Sequence, residues 1–214
     1  MQTKRVKVYK FQELTEQAKQ VSIEDRRRFI DASYIYEDAH NTVKEFHDIF
    51  GTKETSRNWL EVYTGHIDDD ILNLSGIRLY KYLWNNYKTK LYQGKYYNVN
   101  ANHPLKHKRV KSTTFKNGNT HNAYRSAITL ENSCVLTGMC YDENMLEPLY
   151  KFMEKYDHKQ DQHTTLEDLF TECFETLRIT VENEEEYINS DKAIREDLEE
   201  LDDEYLANGK AFNL

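Results

Sequence analysis

The chain has 214 residues, 38% hydrophobic and 31% charged, with a formal net charge of −8. That length suits one large domain or two small ones around a modest core, and the sixteen Tyr and nine Phe argue against a disordered chain despite a mean hydropathy of −0.88. Two Pro and seven Gly favour long helices over tight-turned all-β folds, and no apolar run approaches the ~20 residues of a membrane span.

From the start, Lys4–Phe11 alternates Val6 and Val8 with Lys and reads as a short amphipathic strand. Thr15 precedes a helical pattern through Ala18, Val21 and Ile23. A second helix is expected from about Tyr34 to Phe50, with Ala39, Val43, Phe46 and Ile49 inward and Gly51 as its stop. Asn58–Ile67 reads as a strand, ended by Asp68, Asp69 and Asp70. Ile71, Leu74, Ile77, Leu79 and Leu83 suggest a helix. Short strands are expected near Tyr96–Val99 and Arg109–Phe115, and Tyr124–Leu130 is expected to pair with Cys134–Thr137.

Asn144 to Tyr156 reads as a helix. Thr164 and Glu167 form the outline of a capping box for the next, which buries Leu166, Leu169, Phe170, Cys173, Phe174 and Leu177. Ser190-Asp191 opens a last acidic helix with Ile194, Leu198 and Leu201 inward, Asn208-Gly209 ends it, and Ala211-Phe212 suggests a closing strand. The expected class is α+β: residues 1–140 a mixed region with a basic middle, residues 141–214 an acidic helical region, the two joined without a Gly/Ser or Pro-rich linker.

Charge is divided along the chain. Ile71 to Leu130 holds eleven Lys/Arg and no Asp or Glu, where average composition would place about ten carboxylates. Residues 131–214 sum to −16. Such asymmetry speaks of partners rather than of fold.

Three segments carry a resemblance: Val8–Arg27 (VYKFQELTEQAKQVSIEDRR), Cys134–Phe152 (CVLTGMCYDENMLEPLYKF), and Thr164–Glu175 taken with the tail Tyr205–Phe212. Together they resemble a group of uncharacterised proteins of bacteriophages and prophages, some labelled antitoxin-like. The resemblance implies a phage setting and a bacterial cytoplasm. It supplies no reaction, cofactor or catalytic residue. Three Cys without disulfide spacing, and a start lacking the apolar stretch of a signal peptide, agree with a reducing compartment.

Two charged surfaces follow as candidates. Lys106, Lys108, Arg109, Lys111 and Lys116, near Tyr96, Tyr97 and Phe115, combine phosphate neutralisation with stacking faces, as single-strand binding needs. The competing reading pairs this segment with the protein's own acidic region. Glu182, Glu184, Glu185, Glu186, Glu199, Glu200, Asp202 and Asp203 form a carboxylate-rich stretch that imitates a phosphate backbone toward a basic partner, against the plainer reading of a solvated helix face. Cys134, Cys140, His103 and His107 are the conceivable zinc ligands, but the Cys spacing is long for a knuckle and Pro104 interrupts a helix there, so no metal is assigned. Asp68 and Asp70 behind His66 are the nearest thing to a divalent-cation cluster, and a solvated turn is the plainer account.

The sequence contains no phosphate-cradling Gly loop, nucleophile elbow or metalloprotease pair, so no catalytic residue or cofactor is assigned. The leading expectation is a phage-encoded, non-enzymatic binding protein that inhibits a host protein or nucleoprotein, the anti-CRISPR type included. The alternatives are a nucleic-acid-binding accessory protein of phage replication or regulation, and a small metal-dependent nuclease. No membrane contact is expected, and the oligomeric state is open.

Overall fold

The structure, a computed structural model, describes residues 5–54, 60–93, 107–114, 120–126, 136, 141–154 and 163–212. It divides into two compact units. One joins Met1–Glu37 to Ile179–Leu214, and the other is Asp38–Arg178.

The first unit brings both ends of the chain together. A 3-10 turn at Phe11–Glu13 leads into helix α1 (Glu16–Arg27), whose first turn is capped by the Thr15 hydroxyl accepting from the Ala18 N–H at 3.3 Å. Near the other end, α7 (Asp191–Glu200) is capped by Ser190 accepting from the Ala193 N–H at 3.2 Å. Phe11, Leu14, Ala18, Ile23, Ile194, Leu198 and Tyr205 form the buried cluster, with Tyr9 and Ile30 against it. Tyr9 and Tyr205 exchange backbone hydrogen bonds of 2.9 and 2.8 Å, and Tyr205 bridges Ala211 on its other side.

Gly209 is what permits this tail. Its φ is +85°, a left-handed conformation, and a Cβ there would lie 2.0 Å from the Ala18 carbonyl oxygen. The close approach is fixed by the Ser22 hydroxyl, which donates to the Gly209 carbonyl at 2.6 Å.

The second unit contains most of α2 (Ser33–Phe50), α3 (Asp69–Leu72), α4 (Gly76–Gln93), α5 (Tyr141–Glu154) and the first part of α6 (Leu166–Ile188). Its centre is aromatic. Phe46 lies 4.5 Å from Phe50, 5.3 Å from Phe170 and 5.4 Å from Phe174, ring centre to ring centre, the last two edge-to-face. Leu79, Leu83, Met145, Leu146 and Leu149 are fully buried. The carboxylate of Asp142, also fully buried, accepts from the Thr42 hydroxyl at 3.1 Å and the Leu136 N–H at 2.8 Å, which satisfies a group otherwise expensive to bury. Cys173 is buried among these helices, and that burial pushes its thiol well above the ordinary range, as a core residue and not a nucleophile.

The expected α+β class is overturned. The fold is mainly helical. Among the described residues there are seven α-helices, and the strands form only two antiparallel pairs: β1 (Lys53–Glu54) with β2 (Val62–Tyr63), and β3 (His107–Thr114) with β4 (Thr120–Ser126). The reason lies in partners. Alternation over four or five residues marks an extended segment, but a strand also needs neighbours for its backbone groups. Among the described residues of the Lys4–Phe11 segment Tyr9 alone forms a bridge, and at the tail Ala211 forms one. Of the described residues of Asn58–Ile67, 60–67, only Val62–Tyr63 is strand. β4, which covers the described part of Tyr124–Leu130, pairs with β3; its expected partner was the Cys134–Thr137 segment. That segment, apart from Leu136, and Tyr96–Val99 lie outside the described residues.

The helical expectations fared differently. α2, α5, α6 and α7 stand where the apolar spacing places them, and Gly51, at φ +71°, ends α2, but Leu201, expected inward on α7, follows that helix and is exposed. The cap of α6 is one residue later than expected. Thr165 accepts from the Asp168 N–H at 3.1 Å, and the Asp168 carboxylate reaches back to the Thr165 N–H at 2.9 Å. The Thr165 N–H and hydroxyl, both donating to the Asp168 carboxylate, hold it below its ordinary range. Asn208-Gly209 does not end α7, which stops at Glu200. It turns the tail back from Tyr205 to Ala211. Among the described residues no helix is long and apolar enough to cross a membrane.

Candidate functional site

The first unit carries eighteen Asp/Glu against eleven Lys/Arg, a net of −7. The structure sorts these carboxylates into two sets. One set closes the unit. Arg26 meets Asp197 at 2.8 Å, Arg195 meets Glu16 at 3.2 Å, Lys10 meets Asp202 at 2.7 Å, and Arg27 pairs with both Asp191 and Glu24. The cations that answer α7 therefore come mostly from α1 and the segment before it. The hydrogen bond from Lys10 holds the Asp202 carboxyl below its ordinary range and raises the Lys10 ammonium above its own.

The other set stands outward. Glu186, Glu199, Glu200 and Asp203 are exposed, as is Glu182, while Glu184 and Glu185 are half-exposed. Two tyrosines accompany them. The Tyr36 hydroxyl, at the start of α2, donates to Glu185 at 2.5 Å, and the Tyr187 hydroxyl donates to Glu196 at 3.3 Å. Tyr36 is 38% and Tyr187 52% exposed, so rings as well as carboxylates are presented to solvent. The hydrogen bond to Glu185, followed by burial and the charges of Glu185 and Glu182, raises the Tyr36 phenol above its ordinary range. The Tyr36 phenol therefore stays a neutral donor at neutral pH, and each of the two hydroxyls orients a carboxylate. Exposed rings beside carboxylates suit a partner's Lys or Arg, through cation–π contact and charge-assisted hydrogen bonds together.

Of the predicted acidic residues, Glu182, Glu184, Glu185, Glu186, Glu199, Glu200 and Asp203 thus lie along the C-terminal part of α6, on α7 and just after it. Asp202 is placed differently, tied to Lys10. Tyr36 and Tyr187 were missed by sequence reasoning, and for Tyr36 the spacing gives no signal: it stands three and seven residues before Ala39 and Val43, in step with the inward residues of α2.

An open groove of about 470 Å³ also belongs to this unit. Arg26, Arg28, Phe29, Asp203, Tyr205 and Lys210 line it, and Phe29 stands 78% exposed. Ser22 at its wall is committed to the Ala18 and Gly209 carbonyls, so its hydroxyl is a structural donor. The mixture of cations, acids and one bare ring suits contact with a protein surface better than a fixed small molecule.

The basic candidates divide. Lys106 and Lys116 lie outside the described residues, while Lys108, Arg109 and Lys111 lie in β3. For the zinc set, His103, Cys134 and Cys140 lie outside the described residues, and His107 begins β3. Asp68 is an N-cap: its carboxylate accepts from the Asp70 N–H at 2.9 Å to start α3. Among the described residues no group of three or more His, Cys, Asp or Glu is placed to hold a metal ion.

No protein-family model matches the chain, and no curated protein or solved structure matches it.

Proposed function

We propose that this is a phage-encoded, non-enzymatic binding protein. It inhibits a host factor by presenting the outward carboxylates and tyrosines of its first unit to a cationic, nucleic-acid-binding surface of that factor. The anti-CRISPR type of inhibitor is the specific form we favour. The observation that carries this reading is the separation of the acids. Asp191, Asp197 and Asp202 are used in ion pairs within the unit, while Glu186, Glu199 and Glu200 stand exposed, and Tyr36 and Tyr187 hold Glu185 and Glu196. A net charge of −7 over one small unit would also speed encounter with a basic groove. The phage setting rests on the resemblance of the three sequence segments.

The test is a plaque assay in bacteria whose CRISPR immunity clears a targeted phage. Expression of the chain is expected to restore plaquing by orders of magnitude. The triple variant E186Q/E199Q/E200Q should lose that effect while its circular dichroism stays unchanged, because none of the three has a structural bond described above. Undiminished immunity against every effector class assayed, or full activity of the triple variant, overturns the proposal.

A further inference from the structure

The first unit has an open backbone edge, apart from its acidic surface. Tyr205 stands between two extended segments. Its N–H donates to the Tyr9 carbonyl at 2.8 Å, and its carbonyl accepts from the Tyr9 N–H at 2.9 Å. On the other side the Leu206 N–H donates to the Lys210 carbonyl at 2.9 Å and the Phe212 N–H to the Glu204 carbonyl at 2.7 Å. The segment that carries Tyr9 is therefore an outer member of this arrangement.

In an extended chain the backbone groups of successive residues point to opposite sides. Those of Tyr9 point to Tyr205, so those of Val8 and Val6 point away from it. Among the described residues neither Val6 nor Val8 makes a backbone hydrogen bond, and Val6 is 53% exposed. The open edge stops at Lys10, whose N–H donates to the Glu13 carboxylate and whose carbonyl accepts from the Glu13 N–H, both at 2.9 Å. An unpaired edge of this kind is a template for another strand.

Charge says what fits it. The chain holds no Asp or Glu before Glu13, while Arg5, Lys7 and Lys10 fall within residues 5–10. Lys10 is answered by Asp202. Among the described residues Arg5 and Lys7 make no ion pair, and the Lys7 ammonium lies over the Tyr9 ring, 4.8 Å from its centre. Side chains alternate along an extended chain, which sets Arg5 and Lys7 on the Tyr9 side and Val6 and Val8 on the other. Acids opposite the two cations and β-branched residues opposite the two valines complete the cross-strand pairs.

A second copy of this chain fits poorly. Antiparallel pairing of Val6 with Val8 of a copy sets Lys7 against Lys7, and pairing of Val6 with Val6 sets Arg5 against Lys7. Like charges directly opposite destabilise a pair. Pairing of Val8 with Val8 brings Val6 to Lys10, whose backbone groups are already taken by Glu13.

We propose that the outer edge at Val6 and Val8 binds an extended segment of another protein, one that alternates acidic with β-branched residues, as an added antiparallel strand. Backbone hydrogen bonds to Val6 and Val8 supply affinity, and Arg5 and Lys7 supply selectivity.

The test is fluorescence anisotropy of the full chain with two labelled peptides, one alternating Val with Glu and one alternating Val with Thr. The Glu peptide should bind about tenfold or more tightly than the Thr peptide, and R5E/K7E should abolish that preference. V6P removes an N–H that points away from Tyr205, which an edge position tolerates. It should weaken binding of the Glu peptide about tenfold or more, while amide exchange at Tyr9 and Tyr205 stays unchanged. No binding of the Glu peptide at millimolar concentration, equal binding of the two peptides, or parental affinity in V6P overturns the proposal. So does a dimer in sedimentation that V6P dissociates, which would assign the edge to a second copy.

Discussion

Each of the two units is stabilised internally, and by different means. The second is built around Phe46, whose ring packs against Phe50, Phe170 and Phe174, with a layer of buried Leu and Met beside them. The first closes a small cluster of seven buried residues with chain ends more than 160 positions apart, and rings it with partly exposed ion pairs. Burial of large apolar side chains is worth several kcal/mol each, whereas exposed ion pairs contribute about 0–1 kcal/mol. The lesson is that the acidic surface of the first unit can vary in charge at little cost in stability. Its carboxylates are available to be shaped by a partner, while the aromatic centre of the second unit is not.

The sharpest way to break that contrast is to remove the central ring. Phe46→Ala deletes the ring against which three other aromatics pack, and it should cost about 3–5 kcal/mol by the large-to-small rule. Chemical denaturation measures it. A loss below about 1 kcal/mol would mean that the aromatic cluster is not the organising core.

The second prediction concerns backbone closure in the first unit. Gly209→Ala places a methyl group 2.0 Å from the Ala18 carbonyl oxygen, at a φ that L-residues rarely adopt. Strain of this kind costs on the order of 1–3 kcal/mol, and relief requires the tail to leave α1. Amide exchange should therefore quicken at Tyr9 and Tyr205, which bond each other across that tail. Unchanged protection at both amides would show that the tail is held by something other than the Gly209 contact with α1.

How far the sequence reveals this contrast depends on the range of the interactions. Helices follow from local spacing, and α2, α5, α6 and α7 were legible from Val43, Leu149, Leu177 and Leu198 with their neighbours. Local caps were legible to within a residue: Thr164 and Thr165 both fit the box, and only the geometry selects Thr165 with Asp168. Strand content was overestimated because alternation in Val6 and Val8 says nothing about a partner strand. The carboxylate-rich stretch of the candidate site was plain from its density. Which acids are spent on Lys10, Arg26 and Arg27 was not, since pairs separated by more than 160 residues leave no periodic trace.

The smallest expected effect tests the ion-pair side of the comparison through pH. The folded-state value of Asp202 is lowered below its ordinary 3.8 by the hydrogen bond from Lys10, so the pair's stabilisation is fully present above 3.8 and is lost as pH falls through the lowered value. Lys10 mirrors this at the alkaline end. Its folded value is raised above 10.5, chiefly by the same hydrogen bond, so the contribution is fully present below 10.5 and disappears as pH rises through the raised value. Both side chains are well exposed, Asp202 at 96% and Lys10 at 44%, so solvent and salt screen the pair and its share should be small. D202N should therefore flatten both limbs of the stability–pH profile slightly while leaving the plateau near neutrality almost unmoved. A fall at neutral pH comparable to that of Phe46→Ala would reverse the comparison, since it would make an exposed ion pair, and not apolar burial, the chief fastening of the first unit.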